Sequence, residues 1–230
     1  MRKNEKIDSV RVSRAGHTFH ERWAARRALQ LVFPKDDLFA VAVEGLSPSE
    51  NFYLGQEAEE IADLVLYYGK GDTFETCTSQ QILQFKYKYD AAPVTSSYLK
   101  KTLKKFAATL RELRRSTANE EIVAKLSFGF VTNAAFSADL WNAISCLKFG
   151  KAPESGGAET QAQFLATWCK EEEVSAEDIF RLIEFRASTS DLPAQDRSLR
   201  RTVSDWSAES AGRAATRLLA LTKLLREKAE

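Results

Sequence analysis

The sequence predicts an α/β fold in which a helix, three strands, a second helix and a fourth strand lead into a long helical stretch. Three observations carry this. Short runs bounded by turn residues, at 38–44, 61–68, 81–89 and 125–132, are continuously apolar or alternate apolar with polar residues, as strands do. Between 96 and 115 the apolar residues Leu99, Leu103, Phe106, Leu110 and Leu113 recur at steps of three and four, the spacing of an amphipathic helix. Beyond Phe136 the pattern turns helical and stays so. A chain of 230 residues with 44% hydrophobic content can bury one good core. Its expected organisation is a flexible basic lead-in at 1–17, a core at 18–150 and a helical extension at 151–230 packed on that core.

Taken in order, the polar opening carries Arg2, Lys3, Lys6, Arg11 and Arg14 and ends at Gly16. The first helix is expected from Thr18, a suitable N-cap, to Phe33, with Pro34 as its stop. Glu21 falls on its apolar stripe with Ala25, Ala28, Leu29 and Val32, which is read either as a functional acid or as a first-turn carboxylate favoured by the helix dipole. Leu38–Glu44 reads as a strand buried on both faces, and 45–60 as a long loop with an acidic end. The second strand is placed at Ile61–Tyr68 and the third at Gln81–Tyr89. The helix at Ser96–Arg115 follows, then the strand at Lys125–Thr132. Phe136–Leu147 is the next helix, and the Pro- and Gly-bearing stretch 151–157 marks a break. Glu159–Lys170, Ser175–Phe185 and Gln195–Lys228 are expected to be helical, the last with an apolar face of Leu218, Leu219, Leu221, Leu224 and Leu225.

Composition excludes several classes. Lysine plus arginine number 33 against 32 acids, so any nucleic-acid affinity must come from the distribution of charge rather than its total. Three cysteines, widely spaced and without a Cys-x-x-Cys pair, argue against a disulfide framework and a structural zinc site. No signal peptide and no membrane-spanning apolar run is read, which makes a cytoplasmic protein without a membrane partner the expectation. A P-loop motif is absent, so nucleotide hydrolysis by that route is excluded.

The chemistry centres on Asp63 and the run Leu83-Gln84-Phe85-Lys86-Tyr87. Side chains two apart on a strand share a face, so Gln84 and Lys86 lie together, and an acid from the neighbouring strand completes a polar cluster. Phosphodiester hydrolysis requires a cation held by oxygen ligands, an activated water, and a positive group near the phosphate. Asp63 offers a carboxylate oxygen, Gln84 an amide oxygen, and Phe85 its backbone carbonyl. Lys86 would hold or help deprotonate the water, with Glu44 and Glu21 as accessory acids. The alternative is structural: Lys86 and Lys88 form the wet face of an edge strand and Asp63 caps a strand entry. His17 and His20 are the only histidines; they are read as surface residues or as contacts to phosphate or water. The basic face of the 96–115 helix, with Lys100, Lys101, Lys104 and Lys105, follows directly on Lys88 and is read as DNA-binding or as a charged solvent face.

Asp63 followed by Gln84-Phe85-Lys86, in this order of elements, resembles the restriction-endonuclease-like PD-(D/E)xK superfamily, in particular its Mrr-like branch with Gln-x-Lys. Arg14-Ala-Gly16, Phe19-His-Glu21, Val41-Ala-Val-Glu44 and Phe130-Val-Thr-Asn133 resemble the N-terminal nuclease domains of bacterial anti-phage effectors, as in CBASS endonucleases and antiviral STAND NTPases. The resemblance spans about residues 14–133. It implies a restriction-endonuclease-like core with a mixed central sheet, and a Mg2+-dependent endonuclease, with Mn2+ as substitute, cutting double-stranded DNA with low sequence specificity. It further implies Asp63 and Gln84 as metal ligands, Lys86 as the catalytic lysine, Glu21 or Glu44 as accessory acid, homo-oligomerisation, and a sensor or NTPase region in cis or in trans. Two departures stand out: Ala62 replaces the motif's proline, and Gln84 replaces its second carboxylate, removing a charge from the metal site. The second departure keeps open a catalytically inactive nuclease-like module for DNA binding or oligomerisation, and a third reading is an adaptor acting through the C-terminal helices.

Overall fold

In the computed structural model, residues 2–32, 37–50, 62–90, 92–207, 216 and 219 are described, with backbone alone for 2–13, 32, 206 and 207. The loop at 51–61, Pro34 and the leucine-rich stretch around 218–225, apart from Leu219, lie outside the described residues. The elements are α1 (Arg2–Val32), β1 (Leu38–Val43), β2 (Leu64–Gly69), β3 (Cys77–Lys86), α2 (Ser96–Ser116), α3 (Asn119–Lys125), β4 (Leu126–Thr132), α4 (Ala138–Phe149), α5 (Gly156–Glu171), α6 (Ala176–Leu182), β5 (Ile183–Arg186) and α7 (Leu192–Ser207). The strands form one mixed sheet in the order β1-β2-β3-β4-β5. β1, β2 and β3 pair antiparallel, while β3, β4 and β5 pair parallel.

Alternation sorts the strand residues between two cores. Val65, Tyr67, Ile82, Phe128 and Phe130 join Leu99, Leu103, Phe106 and Leu110 of α2 and residues of α4, α5 and α6 in the larger one. Leu64, Leu66, Leu83, Phe85 and Val131 face the other way, onto Phe19 and Ala24 of α1. The result is a sheet between two helical layers, α2 with α4–α6 on one side and α1 backed by α7 on the other. The amphipathic reading of α2 is borne out: Leu99, Leu103, Phe106, Leu110 and Leu113 are all buried, and Phe106 stacks on Phe128 at 4.5 Å between centroids. Each such side chain contributes about 1.5–3 kcal/mol relative to exposure. Gly129 lets β4 pass close to Leu83: a Cβ there would meet the tip of the leucine side chain and force it to move.

Besides shifts of one to three residues at other ends, four differences from the sequence expectation stand out. α1 begins at Arg2 rather than Thr18; the opening holds no proline, and a lone Gly16 costs a helix only about 1 kcal/mol. β3 runs from Cys77 to Lys86 rather than Gln81 to Tyr89. Its pairing reaches back through polar Ser79 and Gln80 to Cys77, opposite Tyr68 and Tyr67 and the bulged Gly69. The seven-residue helix α3 precedes β4. Finally, Ser175–Phe185 is not a single helix: α6 stops at Leu182 and Ile183–Arg186 becomes β5, pairing Phe128 with Ile183 and Phe130 with Phe185. Residues beyond Gly150 thus add both helices and a strand to the same sheet. No described helix is long and apolar enough to cross a membrane.

Candidate metal centre at the end of β2 and β3

Asp63 lies just before β2, yet its backbone continues the ladder on both sides. Its N–H donates to the Leu83 carbonyl at 3.0 Å, and its carbonyl accepts from the Glu44 N–H at 3.1 Å. The pairs Val43 with Leu64 and Leu64 with Leu83, extended by one step, place Glu44, Asp63 and Gln84 in one row across three strands. Glu44 adopts φ 56, which turns it out of the extended path of β1 into solvent. The Asp63 side chain reaches past the end of the ladder, where Oδ2 accepts from the Phe85 N–H at 2.6 Å. That short, charge-assisted bond fixes one carboxylate oxygen and leaves Oδ1 directed away from it.

His20, on α1, stands opposite that oxygen. Its Nδ1 is 3.8 Å from Asp63 Oδ1, and both side chains retain access to solvent. The imidazole is held from behind by the Phe85 ring, 5.6 Å away, while Phe85 also stacks on Trp23 and meets Phe19 edge-on. Burial holds the His20 imidazole below its ordinary value; the Asp63 carboxylate pulls upward, Lys86 and His17 push down, and a hydrogen bond with the Phe85 backbone again raises it. A raising bond requires an acceptor, and the backbone's acceptor is the carbonyl, so the ring donates to the Phe85 carbonyl.

Gln84 and Lys86 follow Ile82 in alternation and so share the face toward α2. Gln84 is only 2% exposed and has a polar partner of its own, whereas Lys86 is partly exposed at the strand end beside Thr132 of β4. Glu21, next to His20, is half-buried and likewise engaged. Among the described residues no group of three or more His, Cys, Asp or Glu side chains is placed to hold a metal ion. The oxygen donors at this end are one carboxylate, the Phe85 carbonyl and the Gln84 amide, which suits a cation that keeps several of its own waters.

The basic residues sort into three environments. Lys88 is tied down: Asn133 Oδ1 accepts from its N–H and Asn133 Nδ2 donates to its carbonyl, both at 2.8 Å, while Nζ donates to the Ala92 carbonyl, pairs with Asp90 and lies over Tyr98. On α2, Lys104 pairs with Glu171 at 2.6 Å, Arg111 with Glu172 at 3.4 Å and Arg114 with Asp178 at 2.8 Å, and Lys100 sits over the Trp168 ring. Much of that basic face therefore docks α5 and α6. Lys101 is exposed, and Lys105 is half-buried with a partner.

A second polar cluster, absent from the sequence expectation, lies at the other end of β2. Glu50 is buried and accepts from the Tyr67 hydroxyl at 2.5 Å, the Phe74 N–H at 2.6 Å and Gln80 Nε2 at 2.8 Å. Tyr67 in turn accepts from the Ser47 N–H. Burial raises the Glu50 carboxyl, opposed by those three bonds. The cluster fastens the loop after β1 to the sheet; the one sequence signal for it was a strand tyrosine and glutamine on a single apolar face.

No protein-family model matches the chain, and no curated protein matches it. Its fold is an α/β arrangement with a mixed central sheet between helices and a helix-rich C-terminal section. Among solved structures it is similar to the Cap4 SAVED/CARF-domain-containing receptor of Moraxella osloensis, at 13% identity and a TM-score of 0.48. The match covers 95% of this chain and 44% of the receptor chain, so this chain spans under half the length of that protein.

Proposed function

We propose that this chain is a divalent-metal-dependent nuclease that cuts double-stranded DNA with low sequence specificity, the effector part of an anti-phage defence system. The observation that carries the reading is the Asp63 carboxylate: Phe85 N–H fixes Oδ2 and leaves Oδ1 without that bond, on a residue in register with Gln84. Asp63 Oδ1, the Phe85 carbonyl and the Gln84 amide oxygen would hold Mg2+ or Mn2+, whose chemistry here is to polarise the phosphate and acidify a bound water. Lys86, on the same strand end, steadies charge on the phosphate or orients the attacking water. Glu44, in the same row as Asp63, and Glu21, beside His20, are the acids that offset the missing second carboxylate.

DNA contact falls chiefly to the exposed Lys101, with Lys88, Lys100, Lys104 and Lys105 contributing mainly to the local fold. Homo-oligomers, and a sensor or NTPase region in cis or in trans, complete the proposed assembly; the likeness of Arg14–Glu21 and Phe130–Asn133 to anti-phage nuclease domains supports this. The organisation into a core and a C-terminal helix-rich section belongs to the same reading. The test is cleavage of linear duplex DNA in Mg2+ and Mn2+ by the parent chain and by Lys86→Ala and Asp63→Ala. Equal rates for all three would overturn it.

One observation favours a second reading. Gln84 is buried and already engaged, as it would be in an inactive nuclease-like module that binds DNA. Such a module retards duplex DNA in a gel and leaves it intact in either metal.

A further inference from the structure

The His20 imidazole has no place in the cation-binding set just described, yet the fold brings it to that set from the opposite layer. α1 crosses the sheet so that His20 lies over the end of β3, its ring backed by Phe85 and its Nδ1 facing the one Asp63 oxygen not taken by the backbone. The separation of 3.8 Å is too long for a hydrogen bond. It lies within the span of about 3.0–4.2 Å that separates two ligands each about 2.1 Å from one ion. Packing restricts the ring, since Phe19, Phe85 and Trp23 form a continuous aromatic floor beneath it.

Resting on the nuclease reading of Asp63, we infer that His20 is itself a ligand of the divalent cation, its Nδ1 joining Asp63 Oδ1 in a mixed nitrogen-and-oxygen site that favours first-row transition ions over Mg2+. The chemistry is that of the donor set. Mg2+ takes oxygen ligands and sheds water reluctantly, whereas first-row divalent ions accept imidazole. With an amide at Gln84 where a second carboxylate would strengthen a hard-ion site, the imidazole supplies the missing affinity. Mn2+ is the stringent probe, because it stands at the weak end of the affinity series for such ligands.

Mn2+ bound to the whole chain is measured by electron paramagnetic resonance titration, and nitrogen coupling to the bound ion by electron spin echo modulation. Since the chain has two histidines, the assignment is direct: His17→Phe retains the imidazole coupling and His20→Phe loses it. His20→Phe keeps an aromatic ring on Phe85, and its fold is checked by circular dichroism. It weakens Mn2+ by about ten-fold or more while shifting Mg2+, read by competition, by less than about three-fold. Parent protein with no nitrogen coupling, or coupling lost with His17 instead, overturns the assignment of His20 and leaves Asp63 as a ligand, provided Asp63→Asn abolishes binding. Should Asp63→Asn bind Mn2+ like the parent, the nuclease reading falls with it.

Discussion

Asp63 has two separable duties, one for each carboxylate oxygen, and two substitutions pull them apart. Oδ2 accepts from the Phe85 N–H at 2.6 Å, whereas Oδ1 faces His20 without a hydrogen bond. In Asp63→Asn the single amide oxygen turns to Phe85, and the amino group then occupies the place of Oδ1. The structural bond survives, and an acceptor becomes a donor where a cation would sit. Stability should stay within about 1 kcal/mol of the parent. Cleavage should fall by about 100-fold or more, because even outer-shell partners of metal ligands are worth about 10–100-fold. Asp63→Ala loses both duties: the Phe85 N–H is left without its acceptor, at a cost of about 1–3 kcal/mol. For a chain of this size that lowers the Tm by about 2–4 °C per kcal/mol. Thermal melts followed by circular dichroism, with duplex cleavage in Mn2+ on the same preparations, check both halves. Cleavage by Asp63→Asn within about three-fold of the parent, or a melting temperature of Asp63→Ala equal to that of Asp63→Asn, would refute the division.

Lys86→Met should reduce cleavage by about 100-fold, within the range for loss of a positioned proton-transfer or charge-stabilising group, and leave DNA retardation in a gel almost unchanged. Lys101→Ala should lower the slope of log affinity against log salt by about one, whereas Lys104→Ala, whose ammonium already pairs with Glu171, should leave it unchanged. Glu50→Ala should destabilise by about 2–4 kcal/mol in urea, because the Tyr67 hydroxyl, Phe74 N–H and Gln80 amide lose a shared acceptor. Glu50 also sets a pH dependence: its carboxyl is raised from 4.5 on folding, so the folded form binds more protons than the unfolded one above that value. This contribution is full below the ordinary value and lost as pH rises through the raised one. Urea midpoints should therefore fall from about pH 4 upward more in the parent than in Glu50→Gln.

The strands and α2 were legible because their apolar periods are long relative to the pleat and the helical turn. The uninterrupted apolar runs Leu38–Val43 and Leu64–Tyr68, bounded by turn residues, and the five-position stripe of α2 are each long enough to be assigned. β5 was not, since the alternation of Ile183, Glu184, Phe185 and Arg186 covers two repeats and continues the apolar run of α6. Asp63 and Gln84 could be set on neighbouring strands from sequence because consecutive strands joined by a short connection usually pair, and the backbone register does put them opposite one another. His20 could not, since its approach depends on where α1 crosses the sheet, and helical period carries no information on that. The face of α2 shows a further limit. A row of lysines and arginines reads the same whether it faces water or Glu171, Glu172 and Asp178, and only the docking of α5 and α6 decides between them.

Two residues along α1 from His20, Arg22 pairs with Asp196 of α7 at 2.7 Å, and Leu199 packs on Ala25 one turn further. The helix that presents the imidazole is thus clamped from outside by the last described helix. Because that clamp lies within about one helical turn of His20, the position of the imidazole depends on α7 as well as on the sheet.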